Sequence, residues 1–121
     1  MFLAFIYSPL AFSNNMSIEQ AKIKADESES NLEAKDLSRL LKAQTKMVNK
    51  IMPMCINLTG SQPTMNFVVV VKIEKNGIPN QSWLKGKYPL SLCFEKGMKE
   101  ELFFIPKKAP FYSSFNYKFK P

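Results

Sequence analysis

The sequence predicts a small α+β domain, a two-layer sandwich in which helices cover a short antiparallel sheet. Three observations carry that expectation. Apolar residues from Leu32 to Ile51 recur near a 3.6-residue period; a β-branched run from Asn66 to Glu74 leads into an Asn-Gly pair; and the alternating segment Phe115 to Lys120 comes at the end of the chain. The implied order is N-terminal helix, β-hairpin, helix and final antiparallel strand. With 121 residues there is room for one domain and a small core.

Residues 1–13 read as a signal peptide. Phe2 to Phe12 is a short apolar run, and Ala11 and Ser13 are the small residues a signal peptidase would read, so the mature chain is expected to begin at Asn14-Asn15. Eleven residues of helix rise about 16 Å, against a hydrocarbon core of about 30 Å, so a stable membrane span is not expected. Should the true start lie upstream, the longer apolar run would be either a signal or an uncleaved membrane anchor. No Lys or Arg precedes the run.

Residues 14–34 form a polar, partly helical N-terminal segment. Ser17 and Gln20 have capping-box spacing, and the stretch to Glu29 is expected to fray. A stronger helix follows on Leu32, Leu37, Leu40, Leu41, Met47, Val48 and Ile51, and Pro53 is expected to end it. Met52 and Met54 read as core filling.

A loop over 57–64 with Gly60 and Pro63 precedes the first strand, Asn66 to Glu74, whose continuous apolar middle implies cover on both faces. Lys75-Asn76-Gly77-Ile78 fits a type I′ turn. The second strand, Ile78 to Leu84, carries Pro79 and belongs at an edge. Pro89 opens a helix bearing Leu90, Cys93, Phe94, Met98 and Leu102, with Gly97 as its weak point; Pro106 stops anything helical. Phe103, Phe104, Ile105, Phe111 and Tyr112 read as core, Phe111 and Phe115 packing beneath the loop. Trp83 is left open between the hairpin's inner face and an exposed position.

The composition argues against an enzyme. There is no histidine, which removes Ser-His-Asp and Cys-His catalysis and histidine-bearing zinc sites, and two cysteines alone build no structural metal site. Cys93 as a nucleophile has no base beside it. No cofactor or metal is expected. In an oxidising compartment Cys55 and Cys93 are expected to pair, contributing about 3–4 kcal/mol to so small a domain; in a reducing one they would be core thiols. Residues 1–36 hold three lysines against six acids, net −3, and the remainder fourteen basic residues against four acids, net +10. A basic body suits nucleic acid, anionic lipid or an acidic protein segment. Arg39 is the one arginine and no nucleic-acid module is visible, so no nucleic-acid binding is expected.

The order Val68-Val69-Val70-Val71-Lys72-Ile73-Glu74-Lys75-Asn76-Gly77, then Leu92-Cys93 opening an amphipathic helix, then a Pro-bearing segment and a terminal Phe119-Lys120-Pro121, resembles the C-terminal domain of TolA and its TonB cousin. The resemblance covers residues 35–121. The family's partner cysteine stands where this chain has Met65 or Asn66, and the long Ala/Lys/Glu-rich helix of TolA has no counterpart. Taken with the signal-peptide reading, the resemblance implies an isolated, exported, periplasmic protein-interaction domain. It also implies the partners: periplasmic or outer-membrane proteins, colicins and filamentous-phage tip segments, some of which add a strand to the sheet. The edge that would accept such a strand is Phe115, Asn116, Tyr117, Lys118, Phe119 and Lys120, with Lys118 and Lys120 favouring an acidic partner. The alternative is a cationic envelope protein that binds anionic lipid or lipopolysaccharide. The sequence does not give the oligomeric state.

Overall fold

A computed structural model describes residues 16–60 and 66–118. The expected α+β layout is present: α1 (Ile18–Ser30), α2 (Ala34–Thr59), β1 (Asn66–Ile73), β2 (Pro79–Lys85), α3 (Pro89–Met98) and β3 (Phe111–Lys118). Among the described residues the strand order is β2-β1-β3, antiparallel throughout, with β1 central and β2 and β3 at the edges. The signal-peptide reading of residues 1–13 falls outside the described residues.

The apolar run in β1 is continuous because both faces of the strand are covered. Phe67, Val69, Val71 and Ile73 face α2 and α3 in the main core, with Leu40, Ile51, Cys55, Leu90, Phe94, Met98, Phe103, Phe104 and Phe115. Val70 faces the other way, into a smaller cluster with Tyr112, Ala21 and Ala25. That second cluster exists because α1 does not fray. Ser17 Oγ accepts the Gln20 N–H at 3.1 Å and Gln20 Oε1 accepts the Ser17 N–H at 3.0 Å. Ala21 and Ala25, one turn apart and fully buried, let the polar helix lie close on the sheet. Trp83 settles on this face, half-buried, its indole donating to the Met16 carbonyl at 2.8 Å.

Pro53 does not end the second helix, which continues to Thr59. Asn49 and Pro53 are both exposed, so the carbonyl that loses its donor is open to water. Beyond it Cys55 is fully buried. Leu37 and Leu41, expected in the apolar stripe, are 37% and 53% exposed. The buried line runs through Leu40, Met47 and Ile51, then drifts to Met52 and Cys55 where α3 packs, leaving those leucines to one side. The expected disulfide is formed: Cys55 on α2 is joined to Cys93 on α3 with their Cα atoms 5.7 Å apart.

The hairpin turn differs from the expected type I′. Gly77 has φ +80° but no described non-glycine residue has positive φ, so Asn76 does not take the conformation that turn requires. Instead the Gly77 N–H closes a turn onto the Glu74 carbonyl at 3.0 Å, and Asn76 Oδ1 accepts the Ile78 N–H at 3.1 Å. The register shifts between Lys72 and Ile73 to absorb the longer connection. The Gly77 carbonyl then accepts the Phe103 N–H at 2.8 Å, docking the turn on the segment after α3.

Helix α3 stops at Met98, well before Pro106. Phe103, Phe104, Phe111 and Tyr112 are buried as expected, whereas Ile105 and Leu102 are 54% and 61% exposed. Phe111 and Phe115 lie in β3, facing the core; the strand begins at Phe111, ahead of the alternating stretch.

Candidate functional site: the outer edge of β3

Backbone groups along an antiparallel strand alternate between its two sides. The N–H groups of Tyr112 and Ser114 bond to side chains beyond the sheet, so even-numbered residues of β3 present their N–H and C=O outward and odd-numbered residues pair with β1. The outer edge is therefore Tyr112, Ser114, Asn116 and Lys118.

The first half of that edge is occupied from within the chain. Ser28 Oγ, near the end of α1, accepts the Tyr112 N–H at 3.3 Å. Glu29 Oε2 accepts the Ser114 N–H at 3.1 Å and the Ser113 hydroxyl at 2.7 Å. Gln44 on α2 donates to the Ser114 carbonyl at 3.2 Å and to Ser113 Oγ at 2.9 Å. Every buried side-chain polar atom described has a partner. The second half is open: among the described residues, nothing bonds to the outward groups of Asn116 and Lys118. Beside it runs a groove whose wall is Thr45, Val48 and Asn49 of α2, with Phe94 at its floor.

The edge expected from the sequence is residues 115–120, without this division. Of its six residues, Asn116 and Lys118 are exposed with outward backbone. Phe115 is buried against Phe94 and Phe103, with ring centroids 5.8 and 5.3 Å away, and Tyr117 stacks on Phe67 at 5.3 Å, so both are structural. Phe119 and Lys120 lie outside the described residues. Ser28, Glu29 and Gln44 were missed; a polar residue on a helix carries no mark of the strand it will reach.

A second polar cluster ties the start of α2 to the segment before β3. Asp36, 4% exposed, bonds Lys107 at 3.1 Å and Arg39 at 3.4 Å. The Lys107 ammonium, followed by Arg39, holds the Asp36 carboxyl below its ordinary 3.8 against the opposing effect of burial. Arg39 also donates to the Ile105 carbonyl at 3.4 Å and lies 4.6 Å over the Phe104 ring. Each partner is a group of the fold itself, so this cluster reads as structural. Cys93, bonded to Cys55, offers no thiol. No cluster of metal-ligating side chains occurs among the described residues, and no helix among them is long and apolar enough to cross a membrane. Comparison of the chain with protein-family models, curated proteins and solved structures gives no match.

Proposed function

We propose that the protein is a non-enzymatic, periplasmic protein-interaction domain of the TolA C-terminal kind, acting as a decoy or modulator of Tol-system, colicin or filamentous-phage partners. The observation that carries the reading is the half-open β3 edge. Asn116 and Lys118 turn N–H and C=O groups outward that no described residue bonds, beside a groove, the arrangement an extended segment needs in order to add a strand. The cationic Lys118 favours an acidic segment there. The motif order from Val68 to Pro121 supports the choice of partners, and the disulfide agrees with an oxidising compartment.

The test is capture of the TolA-binding segments of colicins and filamentous-phage tips by the mature chain, compared with Asn116→Pro. Proline deletes an outward N–H and leaves the β1 pairing of Phe115 and Tyr117 in place. Capture by the parent and loss in a folded Asn116→Pro variant supports the reading; no capture by the folded parent removes it.

One observation favours a second reading, docking on anionic lipid or lipopolysaccharide. Leu37 and Leu41 are exposed on α2 beside Lys42 and Lys46, a basic and apolar helix surface. This reading expects binding to anionic phospholipid vesicles that weakens steeply with salt. Strand pairing at the edge would depend less on salt.

A further inference from the structure

We infer that α1 is an internal competitor for the β3 edge, and that a partner pairing along the whole edge does so by displacing it. The inference rests on the strand-addition reading and adds the order of events and the register. Ser28 Oγ and Glu29 Oε2 sit where the carbonyl oxygens of an added strand would accept the Tyr112 and Ser114 N–H groups. Gln44 Nε2 sits where an added N–H would meet the Ser114 carbonyl. The three side chains thus copy the hydrogen bonds of a strand and deny them to a partner.

The rest of α1 is built to let go. Of its thirteen residues two alanines are buried on the sheet and Ile18 is partly buried beside them with Met16; polar contacts add the indole bond from Trp83 to the Met16 carbonyl just before the helix, Lys24 above the Tyr112 ring at 5.7 Å, and the bonds at Ser28 and Glu29. The connection to α2 is short, and Leu32 within it packs on the main core, so α1 can swing about that point without disturbing α2. Segments that leave most readily are those with little buried apolar surface. The partner that fits is an extended acidic segment with apolar residues at alternate positions. It pairs first with Asn116 and Lys118, places an apolar side chain against Val48 and Phe94, and then advances over Ser114 and Tyr112 as Glu29 and Ser28 withdraw with α1 and the Gln44 side chain turns off the Ser114 carbonyl.

Amide hydrogen exchange and peptide binding test this together, on the disulfide-intact chain with Glu29→Ala, Ser28→Ala and Glu29→Gln. The probe is a synthetic peptide of about eight residues alternating valine and glutamate, with a proline-interrupted version as control. Loss of one such hydrogen bond is expected to speed exchange at Ser114 in Glu29→Ala by about three- to tenfold, and at Tyr112 in Ser28→Ala similarly, with Ser113 and Phe115 unchanged. The peptide should bind Glu29→Ala tighter than the parent by a similar factor, and Glu29→Gln, which keeps an acceptor oxygen, should behave as the parent. Unchanged exchange at Ser114, or exchange of Ser114 and Phe115 at one common rate, overturns the inference. Equal peptide affinity for parent and Glu29→Ala also overturns it while leaving strand addition standing. Binding of neither peptide by any variant overturns strand addition at this edge, and the displacement with it.

Discussion

Gly97 of α3 lies so close to Ile51 of α2 that a Cβ there would stand 2.9 Å from Ile51 Cγ2. The two helices meet at this point because one of them has no side chain to hold them apart. What reads in sequence as a flaw in α3 is its contact surface.

Gly97→Val is therefore expected to destabilise the domain by about 2 kcal/mol, as overpacking of a tight helix contact does. Gly97→Ala should cost less, because alanine's better helix propensity returns about 1 kcal/mol. Denaturant titration of both variants, read at constant m-value, checks the order.

The Cys55–Cys93 bridge fastens the same pair of helices across a sequence separation of 38. Replacing both cysteines by serine should remove about 3–4 kcal/mol, by the loop-closure estimate. For a domain of this size the midpoint of thermal unfolding should fall by more than about 10 °C. Scanning calorimetry with and without reductant on the parent should reproduce the loss, and reductant should leave the double serine variant unmoved.

Gly77 tests a different constraint. Its φ of +80° disfavours any side chain, and a Cβ would fall 2.7 Å from Leu102 Cδ1 and 2.9 Å from Ile105 Cγ1. Gly60 has nearly the same φ, +78°, but among the described residues nothing within 4 Å. Gly60→Ala should therefore show the backbone cost alone, about 1 kcal/mol, and Gly77→Ala up to about 3 kcal/mol. Equal losses in chemical denaturation would contradict the contact argument.

Asp36 gives the stability a pH dependence of known sign. Its carboxyl is held below 3.8 in the folded chain by Lys107 and then Arg39, so its contribution is present above the unfolded value and disappears as pH falls through the lower folded one. Asp36→Asn removes the ionised partner at every pH. The stability difference between parent and variant should be flat above about pH 5 and close on the acid side. Urea titrations across that range measure it.

Much of this architecture is legible in the residues themselves. Val68 to Val71 announce a strand covered on both sides, Ser17 and Gln20 place the start of α1, and Pro89 opens α3. The errors have local causes. Ser113 and Ser114 interrupt the apolar alternation of β3, hiding its first half, because Ser113 satisfies its hydroxyl in the core through Glu29 and Gln44. Pro53 ends a helix on local rules, but the burial of Cys55 against α3 carries the helix past it. The open half of the edge was visible as the alternation after Phe115. The occupied half depends on contacts separated by some eighty-five residues, such as Glu29 to Ser114, that no local pattern encodes.

The bridge between Cys55 and Cys93 also determines how the chain bears load. Traction applied near the two ends passes through the disulfide, so β1, the hairpin turn and β2 lie in a loop that traction cannot extend. α1, α2 as far as Cys55, α3 beyond Cys93, the segment after it and β3 can be drawn out. The bypassed span of 38 residues corresponds to about 130 Å of extended chain, so a tether pulled under oxidising conditions lengthens by that much less than the same tether after reduction. A partner pairing with β3 would pull on an element outside the loop, and the strain would meet the hairpin through the β1–β3 pairing alone.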